Sequence, residues 1–262
     1  MMKLGMISHY SNEALSYVKS KGLSYVEFTI NHHENEFFDA LSETMKLLSQ
    51  HKQHVLSVGR WGTDRITKDG VNQDELLVNK KMIDACVSLN APVFVTGVNY
   101  VSELSESQNM TYALAYLNEL MTYANDKKIK LAVYNCRWNN FIVGPDTWDI
   151  VLKEVPGIGI KYDPSHAIYD FKNYLKEIKD YGKYIYHFHL KGALIVDNER
   201  VDDPPAGLDM TNWKAVMGLL YFHGYQGGLS IEPHSHIWKH ELGDFGIDYT
   251  IDFFKPMIKG EK

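Results

Sequence analysis

Polar side chains collect where four short β-type runs end, and their types suit metal-assisted chemistry. The runs cover residues 131–135, 158–163, 184–190 and 228–232. The polar residues at or near their ends are Asn135, Asp163, His189 and Glu232. Two carboxylates, an imidazole and an amide, with no thiolate among them, favour Mn²⁺ or Mg²⁺, with Co²⁺ or Zn²⁺ as alternatives. For any one of these residues alone, a hydrogen-bonded polar plug without metal is the competing interpretation.

Strand alternation predicts which of these side chains point the same way, because residues two apart share a face of a strand. The groups that share a face by this rule are His187 with His189 and Lys191, Lys161 with Asp163, Glu232 with His234, and Asn135 with Leu131 and Val133. The apolar residues between the histidines should face helices, and the basic residues should face a common interior.

The elements that must position these residues alternate along the whole chain. Eight β-type runs are separated by amphipathic helical patterns such as 35–51, 74–90 and 110–126. The runs are 3–8, 25–30, 54–59, 93–96 and the four named above. This alternation predicts an α/β fold, a (β/α)8 TIM barrel formed as a single domain by residues 1–262, whose active site lies at the C-terminal ends of the strands. An open doubly wound sheet is the alternative, but no GxGxxG follows the first run.

Composition excludes several classes of protein. The 262 residues include 27 Lys and Arg against 33 Asp and Glu, a net charge of −6, which argues against a nucleic-acid binder. No apolar run approaches the roughly 18 residues of a membrane span, so we expect a cytoplasmic protein without a membrane partner. Cys86 and Cys136 are too few for a disulfide framework and fit a reducing compartment.

Four motifs together resemble the sugar phosphate isomerase/epimerase family, within the xylose isomerase-like TIM barrel superfamily. They are DPSH at 163–166, HFHLKG at 187–192, DDPPAGLDMTNW at 202–213 and IEPH at 231–234. The resemblance implies a metal held by the Asp of D-x-x-H, the second His of H-x-H, and glutamates on the fifth and eighth strands. Asp163, His189 and Glu232 match three of these ligands. Asn135 stands where the fifth-strand glutamate is expected, which places the family's two-base scheme in doubt.

The chemistry implied by the resemblance is removal of a proton next to a carbonyl through an enediolate. Glu232 is the predicted base. His166, Lys161 and Lys191 are candidates for moving the second proton or stabilising the oxyanion. The resemblance also implies a homo-oligomer.

Aromatic and polar residues near the strand ends predict contacts to a small sugar or sugar derivative. The candidates are His9, Trp61, Arg137, Trp138, Asn139, His187 and His234. Of these, His187 lies one pleat deeper than His189, where it would also support the metal site.

Three functions fit the sequence. The first is a metal-dependent sugar isomerase or epimerase. The second is a lyase or dehydratase acting on a keto-sugar or keto-glycoside, which needs one base and which Asn135 favours. The third is a carbohydrate-binding barrel without catalysis.

Overall fold

Eight parallel strands close into a barrel, as the alternation of elements predicts. The structure is a computed structural model that describes residues 1–260. The barrel strands are β1 (Lys3–Ser8), β2 (Tyr25–Thr29), β3 (His54–Gly59), β4 (Val93–Thr96), β5 (Lys130–Tyr134), β6 (Gly159–Tyr162), β7 (Ile185–Leu190) and β8 (Gly228–Ile231). Each pairs with its neighbours in chain order, and β8 pairs with β1 to close the sheet. The competing open sheet is therefore excluded.

Helices surround the barrel. They are α1 (Asn12–Ser20), α2 (Glu34–His51), α3 (Gln73–Ser88), α4 (Glu106–Asp126), α5 (Pro145–Glu154), α6 (Pro164–Tyr169), α7 (Tyr174–Tyr181), α8 (Trp213–Phe222) and α9 (His240–Phe254). The start of α6 matters for the site, because Asp163 is its N-cap residue and its carboxylate accepts from the Ser165 amide. Across residues 1–260, none of the helices is both long and apolar enough to cross a bilayer.

Strand alternation divides the buried residues between two environments. The outward-facing positions, such as Phe94, Val133 and Phe188, join the large apolar core between strands and helices. The inward-facing positions form a smaller apolar cluster of Val93, Val95, Ala132, Tyr134 and Trp61. Inward positions on the other strands carry charge and polarity instead: Glu27, Ser57, Lys161, His187, His189 and Ser230 are all buried. The barrel interior is therefore apolar on one side and charged on the other.

Two hairpins extend the C-terminal face of the barrel. One pairs Ile66–Thr67 with Gly70–Val71 after β3, and the other, the mouth hairpin, pairs Leu194–Val196 with Glu199–Asp202 after β7. Buried Arg60 anchors the loop between β3 and the first hairpin to α3. Its Nε and Nη2 donate to Glu75 at 2.7 Å and 3.0 Å. This ion pair holds Trp61, the next residue, at the barrel mouth.

The Trp61 ring depends on a glycine at the end of β3. A Cβ on Gly59 would overlap the Trp61 ring, which itself stacks on Tyr134 with centroids 5.2 Å apart. We expect Gly59→Ala to displace the ring and to lower the free energy of unfolding by about 1–3 kcal/mol, as overpacking does. Urea denaturation monitored by tryptophan fluorescence measures the change.

Gly218→Ala in α8 is the matched control. A Cβ there meets nothing within 4 Å, so alanine should leave stability unchanged or raise it by up to about 1 kcal/mol. Equal stabilities for the Gly59→Ala variant and the wild type would contradict the packing argument.

Candidate active site

A cavity of about 440 Å³ opens at the C-terminal ends of the strands. It is lined by Ile7, Thr29, Asn31, Trp61, Cys136, Trp138, Lys161, His166, His189, Lys191, Arg200, Glu232, Pro233 and His234. All four predicted catalytic residues are in this lining, as are three of the predicted substrate contacts, Trp61, Trp138 and His234. The face predicted to carry the chemistry therefore has a cavity of ligand-binding size.

Three predicted metal ligands meet at the inner side of this cavity. Asp163, His189 and Glu232 each offer one ligand atom, and these atoms lie within 4.8 Å of one another. Asp163 uses Oδ1 to accept from the Ser165 amide at 2.9 Å. Its Oδ2 is buried without a hydrogen bond, although Lys191 Nζ and His166 Nε2 both lie 3.3 Å away. Oδ2 is therefore the oxygen that remains available to a cation.

His189 is held between two carboxylates. Its Nε2 lies 2.9 Å from Glu27 Oε2, and its Nδ1 lies 2.7 Å from Glu232 Oε2. Glu27 also bonds His187 Nε2 at 2.7 Å, so one buried carboxylate fixes both histidine rings. With Nε2–H donated to Glu27, the His189 Nδ1 is turned toward Glu232 and Asp163, which is the orientation a metal ligand needs.

Glu27 was not among the predicted site residues. Its signal in the sequence is a glutamate flanked by Val26 and Phe28 inside a β-type run, where alternation puts the charged residue on the face opposite the apolar ones. Its partners follow it by 160 and 162 positions, so only the closed barrel reveals the contact.

Burial and neighbouring side chains act against each other on the pKa values of Glu27, His187 and His189. Burial raises the pKa of Glu27, but His187 and His189 outweigh it and hold that pKa well below its ordinary range. Burial lowers the pKa of His189, but Glu27 and Glu232 raise it above the ordinary value. In His187, burial prevails and lowers the pKa. His187 is therefore a neutral donor to Glu27, and its unprotonated Nδ1 has no hydrogen-bond partner.

Asn135, the fourth predicted ligand, hydrogen-bonds the Asp163 backbone in this structure, and its contact with a metal stays a prediction. Its amide oxygen accepts from the Asp163 backbone N–H at 3.0 Å, and its amide nitrogen donates to the Asp163 carbonyl at 2.8 Å. The reason is strand parity. Asn135 shares its face with Leu131 and Val133, and both of these belong to the outer core. Asn135 therefore positions the backbone of Asp163.

The inward position on β5 nearest the mouth belongs to Tyr134. Its ring stacks on Trp61, and its hydroxyl donates to the Trp138 carbonyl at 3.2 Å. Burial raises the pKa of the Tyr134 phenol to about 12, so the group is neutral at ordinary pH. This strand consequently contributes no carboxylate to the cavity.

Two lysines supply positive charge at the cavity floor. Lys191 is 4 % exposed, and its ammonium lies 3.3 Å from Asp163 Oδ2 and 4.0 Å from Glu232 Oε2. Lys161 is 2 % exposed and lies 5.8 Å from the centre of the Trp61 ring. Burial lowers the pKa of His166 to about 4 against the attraction of Asp163, so this imidazole is neutral at ordinary pH.

Four predicted substrate contacts lie outside the cavity lining. Arg137 is held by Asp170, with Nε at 2.9 Å from Oδ2, and Asn139 donates to Asp64 at 2.8 Å. His9 accepts from the Ser11 amide at 3.2 Å at the start of α1. His187 is fully buried beneath the site beside Glu27. These four side chains hydrogen-bond protein neighbours and lie outside the cavity lining, and their contact with substrate stays a prediction.

Asp203 ties the mouth hairpin to the rest of the rim. Its carboxylate accepts from His234 Nδ1 at 2.6 Å and bonds the Tyr169 hydroxyl and Arg200. Burial raises the pKa of Asp203, but His234 and Tyr169 outweigh it and lower the value to about 2. Asp203 thus fixes two lining side chains, Arg200 and His234, in place.

Replacing Glu27 tests the buried network. Glu27→Gln should lower the free energy of unfolding by roughly 3–5 kcal/mol, because it leaves a buried charge without its partner. Folding lowers the pKa of Glu27 below its ordinary value of 4.5, so the stabilisation by Glu27 is fully present above pH 4.5. Folding raises the pKa of His189 above its ordinary value of 6.5, so the stabilisation by His189 is fully present below pH 6.5. The deficit should therefore be largest between these two pH values and shrink on either side, as measured by urea denaturation across pH.

Ser57→Ala is the control for this measurement. Ser57 Oγ lies 3.3 Å from His187 Nε2, and removing this neutral contact should cost about 1 kcal/mol with no comparable pH maximum. A flat pH dependence for Glu27→Gln would contradict the assigned charges.

Comparison with known proteins agrees with the fold. A D-psicose 3-epimerase from Clostridium cellulolyticum superposes with a TM-score of 0.80 at 13% identity, covering 98% of this chain and 99% of that one. A 3-keto-D-glucoside 4-epimerase from E. coli gives 0.79 at 14%, covering 98% and 100%. A probable 3-DHS dehydratase from Bacillus anthracis gives 0.75 at 10%, covering 97% and 98%. At these identities the likeness concerns the fold.

The sequence itself carries the family assignment. No curated protein matches it at a significant level. The family described as xylose isomerase-like TIM barrel matches residues 15–256, which is most of the chain. With the closed eight-stranded barrel in place, this match means that the chain belongs to the xylose isomerase-like TIM barrel family.

Proposed function

We propose that the protein is a metal-dependent isomerase or epimerase of a small sugar or sugar derivative. The observation that carries the proposal is the convergence of Asp163 Oδ2, His189 Nδ1 and Glu232 Oε2 beside a cavity of about 440 Å³. The buried Oδ2 of Asp163 makes no hydrogen bond and lies 3.3 Å from the Lys191 ammonium, so its surroundings already favour a cation. Two carboxylate oxygens and one imidazole favour Mn²⁺ or Mg²⁺, with Co²⁺ or Zn²⁺ as alternatives. When bound, the ion polarises a carbonyl and stabilises negative charge on its oxygen.

Glu232 is the proposed base. Its contacts to His189 and Lys191 use Oε2, so Oε1 is the oxygen that would accept a proton from the carbon next to the carbonyl. Burial raises the pKa of Glu232, but Lys191 and His189 outweigh it and keep the carboxylate ionised. The electron pair of the broken C–H bond forms the enediolate double bond, and the carbonyl oxygen takes up the negative charge.

Lysines and a neutral histidine are proposed for the remaining proton transfers. Lys161 lies in β6 and Glu232 follows β8, so the two groups approach the cavity from strands on either side of β7. Lys161 would return a proton to the carbon from a direction different from that of Glu232, or it would stabilise the oxyanion. Lys191 and His166 would donate hydrogen bonds to substrate oxygens. Trp61 and Trp138 provide apolar surface for a sugar ring, with Trp138 half exposed at the rim.

The structural neighbours include two sugar epimerases, which supports this reaction class for the present chain.

A lyase or dehydratase is the second candidate, and one observation favours it. Among the residues that line the cavity within 1–260, Glu232 is the one carboxylate, and Tyr134 takes the inward position on β5. One base and one acid suffice for elimination next to a ketone, whereas epimerisation needs a group that removes the proton on one face of the carbon and a second group that returns a proton on the other face. A neighbour described as a dehydratase shares the fold.

Hydrogen exchange in D₂O separates these functions. The Mn²⁺-supplemented protein is incubated with a panel of ketoses and 3-keto sugars, and products are followed by NMR. Deuterium in a retained or epimerised sugar supports the proposal, whereas loss of water or of an aglycone supports the lyase. Binding without exchange would identify a non-catalytic carbohydrate-binding barrel and contradict both.

The role of Glu232 has its own test. Glu232→Gln should slow exchange by at least about 10²-fold, because the amide cannot accept the proton. Glu241→Gln, an exposed glutamate in the first turn of α9, should leave the rate unchanged. Wild-type exchange by Glu232→Gln would exclude Glu232 as the base.

A further inference from the structure

Lys191 occupies a place where the proposed metal would also bind. Its ammonium is 3.3 Å from Asp163 Oδ2 and 4.0 Å from Glu232 Oε2, the two oxygens that would ligate a cation. The side chain is 4 % exposed, so these carboxylates are its partners in a buried environment.

A divalent ion and the Lys191 ammonium would repel each other if both bound Asp163 Oδ2 and Glu232 Oε2. A metal binds carboxylate oxygen at about 2.0–2.2 Å, so an ion on Asp163 Oδ2 would lie within a few ångströms of an ammonium on the same oxygen. Water screens little of the repulsion at a buried site. One cation must therefore move or bind more weakly when the other is present.

The protein also balances the charge of the site by itself. The two carboxylates of the proposed metal site, Asp163 and Glu232, face two lysines, Lys161 and Lys191, which line the same cavity. A divalent ion added to this balanced set would need to displace positive charge that is already there. Since β5 supplies no carboxylate, no third anionic ligand among the lining residues compensates for the ion.

We propose that the Lys191 ammonium and a divalent ion compete for Asp163 Oδ2 and Glu232 Oε2, so that Lys191 determines the metal affinity of the site. This inference rests on the metal site of the proposed function. It adds that metal binding releases Lys191 from the carboxylates into the cavity, where its ammonium can meet a substrate oxygen. Without the ion, Lys191 is held by Asp163 and unavailable to substrate.

Metal binding measured without substrate tests the proposal. Metal-free wild type and the Lys191→Met variant are titrated with Mn²⁺, and free Mn²⁺ is followed by electron paramagnetic resonance. Methionine keeps the length of the side chain and removes its charge. We expect Lys191→Met to bind Mn²⁺ at least about tenfold more tightly, because a close like charge has been removed. Lys191→Arg retains the charge and should bind no more tightly than the wild type.

Lys161→Met is the matched control. Lys161 is a buried lysine of the same cavity, and no ion pair joins it to Asp163 or Glu232 in the part of the chain that the structure describes. Its removal should therefore tighten Mn²⁺ binding much less. Circular dichroism and thermal denaturation establish that each variant is folded, and Lys191→Gln replaces Lys191→Met if the latter is not.

The outcomes separate this inference from the proposed function. If wild type and Lys191→Met bind Mn²⁺ with equal affinity, competition is overturned while the metal site stands. If Lys161→Met tightens binding as much, the effect is general charge and competition is again overturned. If none of the proteins binds Mn²⁺, the competition and the metal site both fail, and hydrogen exchange by chelator-treated protein then decides whether the isomerase proposal survives without metal.

Discussion

The site depends on three carboxylates at one end of a closed barrel, of which Glu27 and Asp163 are fully buried and Glu232 is partly exposed, each paired with basic side chains of the same chain. Burying a charge is costly unless a partner lies in direct contact, and here Glu27 meets two histidines while Asp163 and Glu232 meet Lys191. Each group is held in place because moving it would leave its partner unpaired. The network therefore fixes the positions of His189, Asp163 and Glu232 before any ligand arrives.

The barrel brings the members of this network into contact although they lie on separate strands. Glu27 lies in β2, Lys161 in β6 and the two histidines in β7, and strand alternation turns all of them inward. The opposite side of the interior is filled by Trp61, Tyr134 and small aliphatic residues. The cavity thus combines a charged floor with an aromatic wall, which suits a polar ligand with apolar ring faces.

Fold and reaction are separate conclusions for this protein. Family membership follows from the match over residues 15–256 and the barrel from the residues that the structure describes, but one barrel supports many reactions. The reaction is decided by which charged groups reach the cavity. A single lining carboxylate, two lysines and a neutral His166 define a site in which one strong proton acceptor acts beside several donors.

Local pattern in the sequence determined the eight strands, their order and the convergence of Asp163, His189 and Glu232, because alternation and turn residues are properties of neighbouring positions. Tertiary structure decided what depends on distant partners. It joined Glu27 to His187 and His189 across the barrel, and it placed Lys191 against two of the predicted ligands. It also placed the Asn135 amide in hydrogen bonds with the Asp163 backbone and Arg137 in an ion pair with Asp170. A side chain binds whichever partner the closed fold brings within reach, and residue type alone does not specify that partner.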